Sequence, residues 1–327
     1  MSGLHNGMIS PKLRATLILL SFFASESGWA CQVPVFRYAL ERWQPGLYQV
    51  STAEGMKADP PANLELKKAA DSSQMELFYP STLRQATDKP IWSAPTSEAN
   101  MRLLVDSPIR QELRKRLLAG QSAVWLLIES GDAAKDDAAA KVIEEGLQSA
   151  KQKLKLPDGV LTQEAAKDPK KRHENVDVLR SSLPLKIEFS TLRLSRQKAE
   201  EVALIAMLMH IEPDLGDFVL EPMVFPIFGR GRALEPIIGK GIHADNILEA
   251  CTYLCSACSC EIKEQNPGID LLMAADWSPV GTDEEMPITV KIAPKLNATN
   301  WTSGYWIGLS TALLGAALWL ISGCIRS

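Results

Sequence analysis

The sequence predicts an α/β fold, two sandwiches of strands and helices, followed by one C-terminal transmembrane helix. Three observations carry that expectation. Short apolar runs closed by Gly, Pro and Ser alternate with longer stretches of helical periodicity, as strands and helices taking turns would. Residues 123–128 (AVWLLI) form a continuous apolar run, the mark of a strand buried on both faces. Residues 305–323 (YWIGLSTALLGAALWLISG) hold no charge over 19 residues, and about 28 Å of helix is enough to cross the hydrocarbon of a bilayer. The chain of 327 residues is 46% hydrophobic and 23% charged, with 20 Gly and 20 Pro, which excludes collagen-like, mucin-like and wholly disordered classes. Its 35 Lys+Arg against 39 Asp+Glu leave a net charge of −4, so no basic excess exists to neutralise a phosphate backbone and nucleic acid is not an expected partner.

The two ends give the address. Residues 1–30 open with Lys12 and Arg14, run through apolar 15–24 and close on Gly28-Trp29-Ala30, an export signal with cleavage expected before Cys31. Cys31 at a new N-terminus is also a place where a lipid could be attached. The transmembrane helix is expected over 303–324, with Trp301, Tyr305 and Trp306 at the interface. Arg326 in the tail 325–327 then lies in the cytoplasm and the body faces the extracytoplasmic side, a periplasm or its equivalent. Gly304, Gly308, Ala312 and Ala316 recur every fourth residue, a smooth stripe on which a second copy of the helix could pack as a homodimer.

Between the ends the elements read in order. Residues 31–43 have helical spacing opened by Pro34, and 47–51 read as a strand after the turn Pro45-Gly46. The stretch 55–63 is a loop, 75–79 and 90–93 are short strands, and 97–105 is a helix. The helix 107–118 has Ser107 as cap, Pro108 at its first position and Gly120 past its end. After the strand 123–128 come a long surface helix over 135–156, a solvated loop over 157–182 and a half-buried strand over 185–194. A helix over 198–210 follows, then a hairpin over 221–238 turning at Gly229-Arg230-Gly231, and a closing helix over 244–257. Pro226 and Pro236 suggest that the hairpin lies at the sheet margin. Residues 278–302, rich in Pro, Thr and Asn, read as a stalk with possible glycosylation acceptors at Asn297 and Asn300.

The order strand, helix, strand, helix, hairpin, helix over 123–260, with Pro222 before the third strand and Gly229-Arg230-Gly231 at the hairpin, resembles the thioredoxin-like fold. Residues 76–93 with the helix from Ser97 look like the second half of another such unit. The resemblance implies a degenerate domain over 31–120 and a fuller one over 121–277, with Pro222 as a turn or cis-Pro candidate. The segments CQVPVFRYALERW, SAVWLLIESGD and EPMVFPIFGRGRAL are also similar to secreted, membrane-anchored proteins of unassigned function from planctomycete and verrucomicrobial bacteria. Catalysis in the thioredoxin-like family needs a Cys at the first turn of the first helix, where the helix dipole stabilises the thiolate. Here Ser130-Gly131-Asp132-Ala133 stands in that place, so the resemblance implies no catalytic site there and a protein partner instead. In the first half, Cys31-Gln32-Val33-Pro34 does precede a helix.

Six Cys stand at 31, 251, 255, 258, 260 and 324. Cys324 falls at the inner membrane edge, and the odd number left outside means at least one thiol is unpaired within the chain, bound to metal or lipidated. Spacings of four and three put Cys251, Cys255 and Cys258 on one helix face, with Cys260 just beyond. Three readings stand: structural disulfides within the cluster or from it to Cys31; zinc or cuprous copper on Cys251, Cys255, Cys258 and Cys260; or redox thiols. No Gly-x-Ser-x-Gly elbow or HExxH helix occurs, and Gly229-Arg-Gly-Arg lacks the Lys of a phosphate-binding loop. His173, His210 and His243 read as bystanders or helix-end residues. Asp136-Asp137, Glu200-Glu201 and residues 283–285 read as solvated faces, while Arg230 and Arg232 could grip an anion. The expected role is protein interaction or envelope organisation by an exported membrane protein, the alternative being thiol-disulfide or metal handling by Cys31 and the 255–260 cluster.

Overall fold

A computed structural model describes residues 31–53, 61–69, 71, 73–83, 87–172, 176–265 and 267–280. The segments expected to be an export signal (1–30), a transmembrane helix with its Gly304, Gly308, Ala312 and Ala316 stripe (303–324) and most of a stalk (281–302), together with Cys324 and His173, lie outside the described residues. Among those described, no helix is long and apolar enough to cross a membrane.

The body is mixed α/β, built on two larger sheets. Helix α1 (Val35–Glu41) precedes the first sheet, made of β1 (Tyr48–Thr52), β2 (Leu64–Lys68), β3 (Gln74–Phe78) and β4 (Trp92–Pro95) in the order β2-β1-β3-β4. β1 and β2 are parallel, while β3 is antiparallel to both β1 and β4. Tyr48, Val50 and Thr52 alternate inward along β1, and Met75 and Leu77 do so along β3, giving one buried face. Helices α2 (Glu98–Asp106) and α3 (Pro108–Leu118) follow. Ser97 caps α2 by accepting from Asn100 N at 3.1 Å, and Pro108 opens α3 as expected.

The second sheet contains β5 (Ala123–Ile128), β8 (Phe189–Leu194), β9 (Met223–Phe228), β10 (Arg232–Ala233), β11 (Ile237–Ile238) and β12 (Ile269–Asp270). Its order is β12-β10-β9-β5-β8, with β11 also on β9. β5 and β8 are parallel, and β9 is antiparallel to β5. Every residue of β5 and of β9 is buried, as the uninterrupted apolar run demands. Helix α4 (Ala133–Lys153) joins β5 to β8 by way of the short parallel pair β6 (Val160–Leu161) and β7 (Asp177–Val178), which structures the segment expected to be a loop. Helices α5 (Val202–Met209), α6 (Ala244–Cys255) and α7 (Cys260–Gln265) complete the body.

Each face of β5 serves a different core. Trp125 and Leu127 pack with α1, α4 and α6 through Phe36, Ile143, Leu147, Ile247 and Leu254. Val124, Leu126 and Ile128 pack with Leu113 and Leu117 of α3, Leu204 and Met207 of α5, and the inner face of the first sheet. The two sheets therefore share one apolar core. Helix α1, assigned by sequence to the first half, docks on the second sheet.

The hairpin is at the margin only in β11, which follows Pro236 and pairs with β9 alone. β9 lies between β5 and β10, with Pro226 opposite Trp125. In an antiparallel ladder the N and C=O of a residue point the same way, and Pro226 O accepts from Leu234 N at 3.1 Å. The missing N–H thus falls opposite the break between β10 and β11, where no ladder partner waits for it. The turn itself is as read: Gly229 and Gly231 have φ of +60° and +99°, and a Cβ on Gly229 would come within 2.9 Å of Ala39.

A buried ion pair and a buried carboxylate fix segments distant in sequence. Arg37 Nε donates to Glu41 Oε1 at 2.7 Å, with side chains 1% and 0% exposed. Arg37 also donates to the carbonyls of Ser181 and Leu183 at 3.2 and 2.6 Å, while Glu41 accepts from Arg180 N and Ser181 N at 2.8 and 3.2 Å. Glu201 accepts from Ser107 Oγ and Ile109 N at 2.6 and 2.7 Å, and Arg110 donates to Leu272 O and Ser107 Oγ at 2.7 and 3.0 Å. Glu201, read as solvated, is therefore a buried anchor for the start of α3.

Candidate functional site

The structure packs Cys251, Cys255 and Cys258 into one buried cluster and leaves Cys260 outside it, although the three do not share one helix face. Helix α6 ends at Cys255, and Ser256 turns extended, with φ −72° and ψ 160°. Cys251 and Cys255, one turn apart, face inward into the core shared with α4 and β5. Cys258 lies beyond the helix, where its N–H donates to Val33 O at 2.9 Å and brings it beside the chain segment that begins with Cys31. Cys260 opens α7 and is exposed, whereas the other four are buried; all five are reduced thiols. The helix thus does not carry three cysteines on one face, because it stops before the third. Among the described residues no group of three or more His, Cys, Asp or Glu is placed to hold a metal ion.

Burial sets the thiol chemistry. Desolvation pushes Cys251 well above the ordinary thiol range, with Cys255 adding to the shift, and pushes Cys255 and Cys258 up to about 12. Such groups stay protonated at neutral pH, and the thiolate is the form that attacks disulfides or binds metal. The unfolded chain releases these protons near pH 8.5 while the folded chain retains them, so stability is full below that pH and falls as pH rises from it toward 12. Cys251 and Cys255 each add up to about 1.4 kcal/mol per pH unit to that slope. Urea midpoints at pH 8 and pH 10.5 should fall steeply in the unaltered chain and less steeply in a Cys251→Ala, Cys255→Ala double variant. Equal slopes would show that the two thiols titrate alike in both states.

A second candidate lies at the carboxyl ends of the parallel strands β5 and β8, where α4 begins. Open parallel sheets bind ligands at this edge. Asp132 caps α4, its Oδ1 accepting from Ala134 N at 2.9 Å. Asp136 is 2% exposed. It accepts from Ser130 N at 2.7 Å, Ser130 Oγ at 2.8 Å and Gly131 N at 3.1 Å. The loop N–H groups are thus already satisfied by a carboxylate of their own helix. Adjacent Asp137 points outward to Arg193 at 2.7 Å, so the pair of acids read as one solvated face divides between core and surface.

The loop before β9 closes on this edge. Lys135 Nζ donates to Glu221 Oε1 at 2.6 Å and Leu220 O at 3.2 Å, and the bond to Glu221 raises the lysine's pKa. Arg196 Nε donates to Glu129 O at 2.9 Å from the end of β8. Beside these polar groups stand Phe218, Val219 and Leu220, 40%, 43% and 74% exposed, with exposed Asp214 and Asp217 just before them. This ridge was missed in the sequence, although three consecutive apolar residues inside the polar loop 210–222 are its signal. Pro222 follows in trans, as no peptide bond among the described residues is cis, and its O accepts from Gly239 N at 2.9 Å. Pro222 is therefore a trans residue that leads into β9, not a cis proline, and its carbonyl continues the pairing of β9 with β11.

The remaining sequence candidates are structural. Arg232 is 2% exposed, beside Asp270 at 3.5 Å and over the Trp43 ring, and Arg230 Nε donates to Leu40 O at 2.8 Å. Neither reaches out from a hairpin tip toward an anion. His243 stands at the start of α6, and His210 Nδ1 meets Ala206 O at 2.7 Å at the end of α5. Set against family models, curated proteins and solved structures, this chain has no match in any of the three comparisons.

Proposed function

We propose that the chain is an exported, single-pass membrane protein whose body is a non-catalytic thioredoxin-like module that binds a protein partner and so organises an envelope complex. The strand order β10-β9-β5-β8, with β5 and β8 parallel and β9 reversed, supports the thioredoxin-like reading of 121–277. So does the placing of α4 and α6 on one face of β5 and α5 on the other. The first sheet repeats that pattern of directions, with no helix described between its strands, which supports a degenerate copy over 31–120.

The observation that carries the reading is the edge at α4. Where a catalytic member of the fold needs a thiol, the loop Ser130-Gly131-Asp132 is closed by Asp136, and next to it an apolar ridge stands in water. Exposed Asp214 and Asp217 flank that ridge. The occupant is therefore a protein segment presenting apolar and cationic side chains together. One observation favours the alternative of thiol-disulfide or metal handling: Cys260 is exposed two residues from Cys258.

Photo-crosslinking in native membranes tests the choice. Benzoylphenylalanine placed at Leu220 is expected to give a discrete protein adduct that survives reductant, weakens with Phe218→Ser, and is absent from a probe at exposed Lys141 on α4. Adducts that form equally at Lys141, or that reductant releases from Cys260, would overturn it. Unprocessed chain in the cytosolic fraction would overturn the export.

A further inference from the structure

The chain segments holding Cys31 and Cys258 are tied together by backbone. Pro34 faces Ala257 in an antiparallel bridge, flanked by Val35 N donating to Ser256 O at 3.0 Å and Cys258 N donating to Val33 O at 2.9 Å. This pattern sets Val33 opposite Cys258. The chain bends at Val33, and Cys31 lies two residues before it in the segment that the bridge ties to 256–258. Cys31 and Val33 pack in one apolar cluster with Leu179, and Tyr38 lies against both this cluster and the one holding Cys258. Gln32 N donates to Asp177 Oδ2 at 2.6 Å, which fixes the residue between Cys31 and Val33. Each of the two thiols acts electrostatically on the Tyr38 hydroxyl, and Cys31 acts on Cys258.

We propose that Cys31 and Cys258 are a disulfide pair, oxidised by a small-molecule disulfide to lock the first residues of the body onto the segment that follows α6. Cys31 Sγ gives up its proton, attacks one sulfur of glutathione disulfide and expels one glutathione thiolate. Cys258, whose burial makes this the slower step, gives up its proton to the expelled thiolate, attacks the Cys31 sulfur and expels the second glutathione. The protein gains one S–S bond, glutathione disulfide is reduced, and the two protons leave on two glutathione thiols. Cys251 and Cys255 stay reduced in the core, and Cys260 remains the single exposed thiol among the described residues. The pair does not depend on which partner the α4 edge binds or on where the chain resides.

The purified full chain, equilibrated over a series of glutathione disulfide to glutathione ratios, is quenched with acid, unfolded, alkylated and mapped by mass spectrometry. The expected product is one linked peptide pair carrying Cys31 and Cys258, two hydrogens lighter than its reduced parts. It should persist in Cys260→Ser and vanish in Cys31→Ser and Cys258→Ser, and the oxidised chain should melt at a higher temperature that reductant restores to the starting value. Full alkylation of Cys31 at the most oxidising ratio, or its linkage to Cys251, Cys255 or Cys260, would overturn the proposal. Because the readout is taken on the unaltered chain, misfolding of a variant cannot imitate it, and its failure would leave the Leu220 cross-link unaffected.

Discussion

Glu41→Ala is expected to lower the free energy of unfolding by about 3–5 kcal/mol, the scale for breaking one side of a buried ion pair. Removing the carboxylate leaves the Arg37 guanidinium in the interior with only carbonyl acceptors, and strips Arg180 N and Ser181 N of their acceptor. Burial already pulls the Arg37 pKa down, and Glu41 is what opposes that pull. The control is the pair Lys141 and Glu145 on α4, 3.9 Å apart with side chains 74% and 67% exposed. Glu145→Ala should change stability by less than about 0.5 kcal/mol. Replacing both buried partners, as in Arg37→Met with Glu41→Leu, should recover much of the loss, because no charge is then left unpaired. Urea unfolding of the four chains decides the matter, and a Glu41→Ala cost as small as that of Glu145→Ala would refute the clamp.

Glu201→Ala is expected to cost about 3–5 kcal/mol as well, here by stranding two donors and removing the charge that supports buried Arg110 at the junction of the two sheets. Two donors at the start of α3 lose their acceptor, Ser107 Oγ and Ile109 N. Arg110, fully buried and pulled down to about 10 by desolvation, loses the charge that most supports its protonated form. The damage should also be directional. Amide hydrogen exchange should rise first in α3, from Ile109 onward, and much less in α4, which has its own cap at Asp132. Uniform acceleration across both helices would show that Glu201 does not anchor α3 in particular.

The elements easiest to read were those whose boundaries are chemical. β5 is a closed apolar run between Ser122 and Glu129, and α3 begins where Pro108 takes the first helical position. Such signals act through the local backbone, so the tertiary environment has little room to alter them. Positions decided by what lies across the fold were another matter. Pro226 suggested a margin, yet it sits in a central strand because the neighbouring strand is broken opposite its nitrogen. Asp136 and Asp137 are chemically identical neighbours, and only the folding back of residues 130–131 sends the first inward. An Arg and a Glu four apart on α1 look like a surface pair until the segment 180–184 covers them. The cysteine spacing pointed to a shared helix face, and one extended residue, Ser256, takes Cys258 off the helix and onto the backbone of Val33. The apolar ridge at 218–220 was legible as composition, but its place beside α4 follows from the course of β9.

The docking of α1 on β9, and of residues 33–35 on 256–258, has a consequence for how the molecule comes into being. The opening segment of the body is synthesised early, yet its seat is made from β9 and α6, which are translated far later. Pairings this distant in sequence close late and slowly. A nascent chain halted anywhere before α6 should therefore hold Val35, Phe36 and Ala39 bare to solvent and lean on chaperones until the far end arrives.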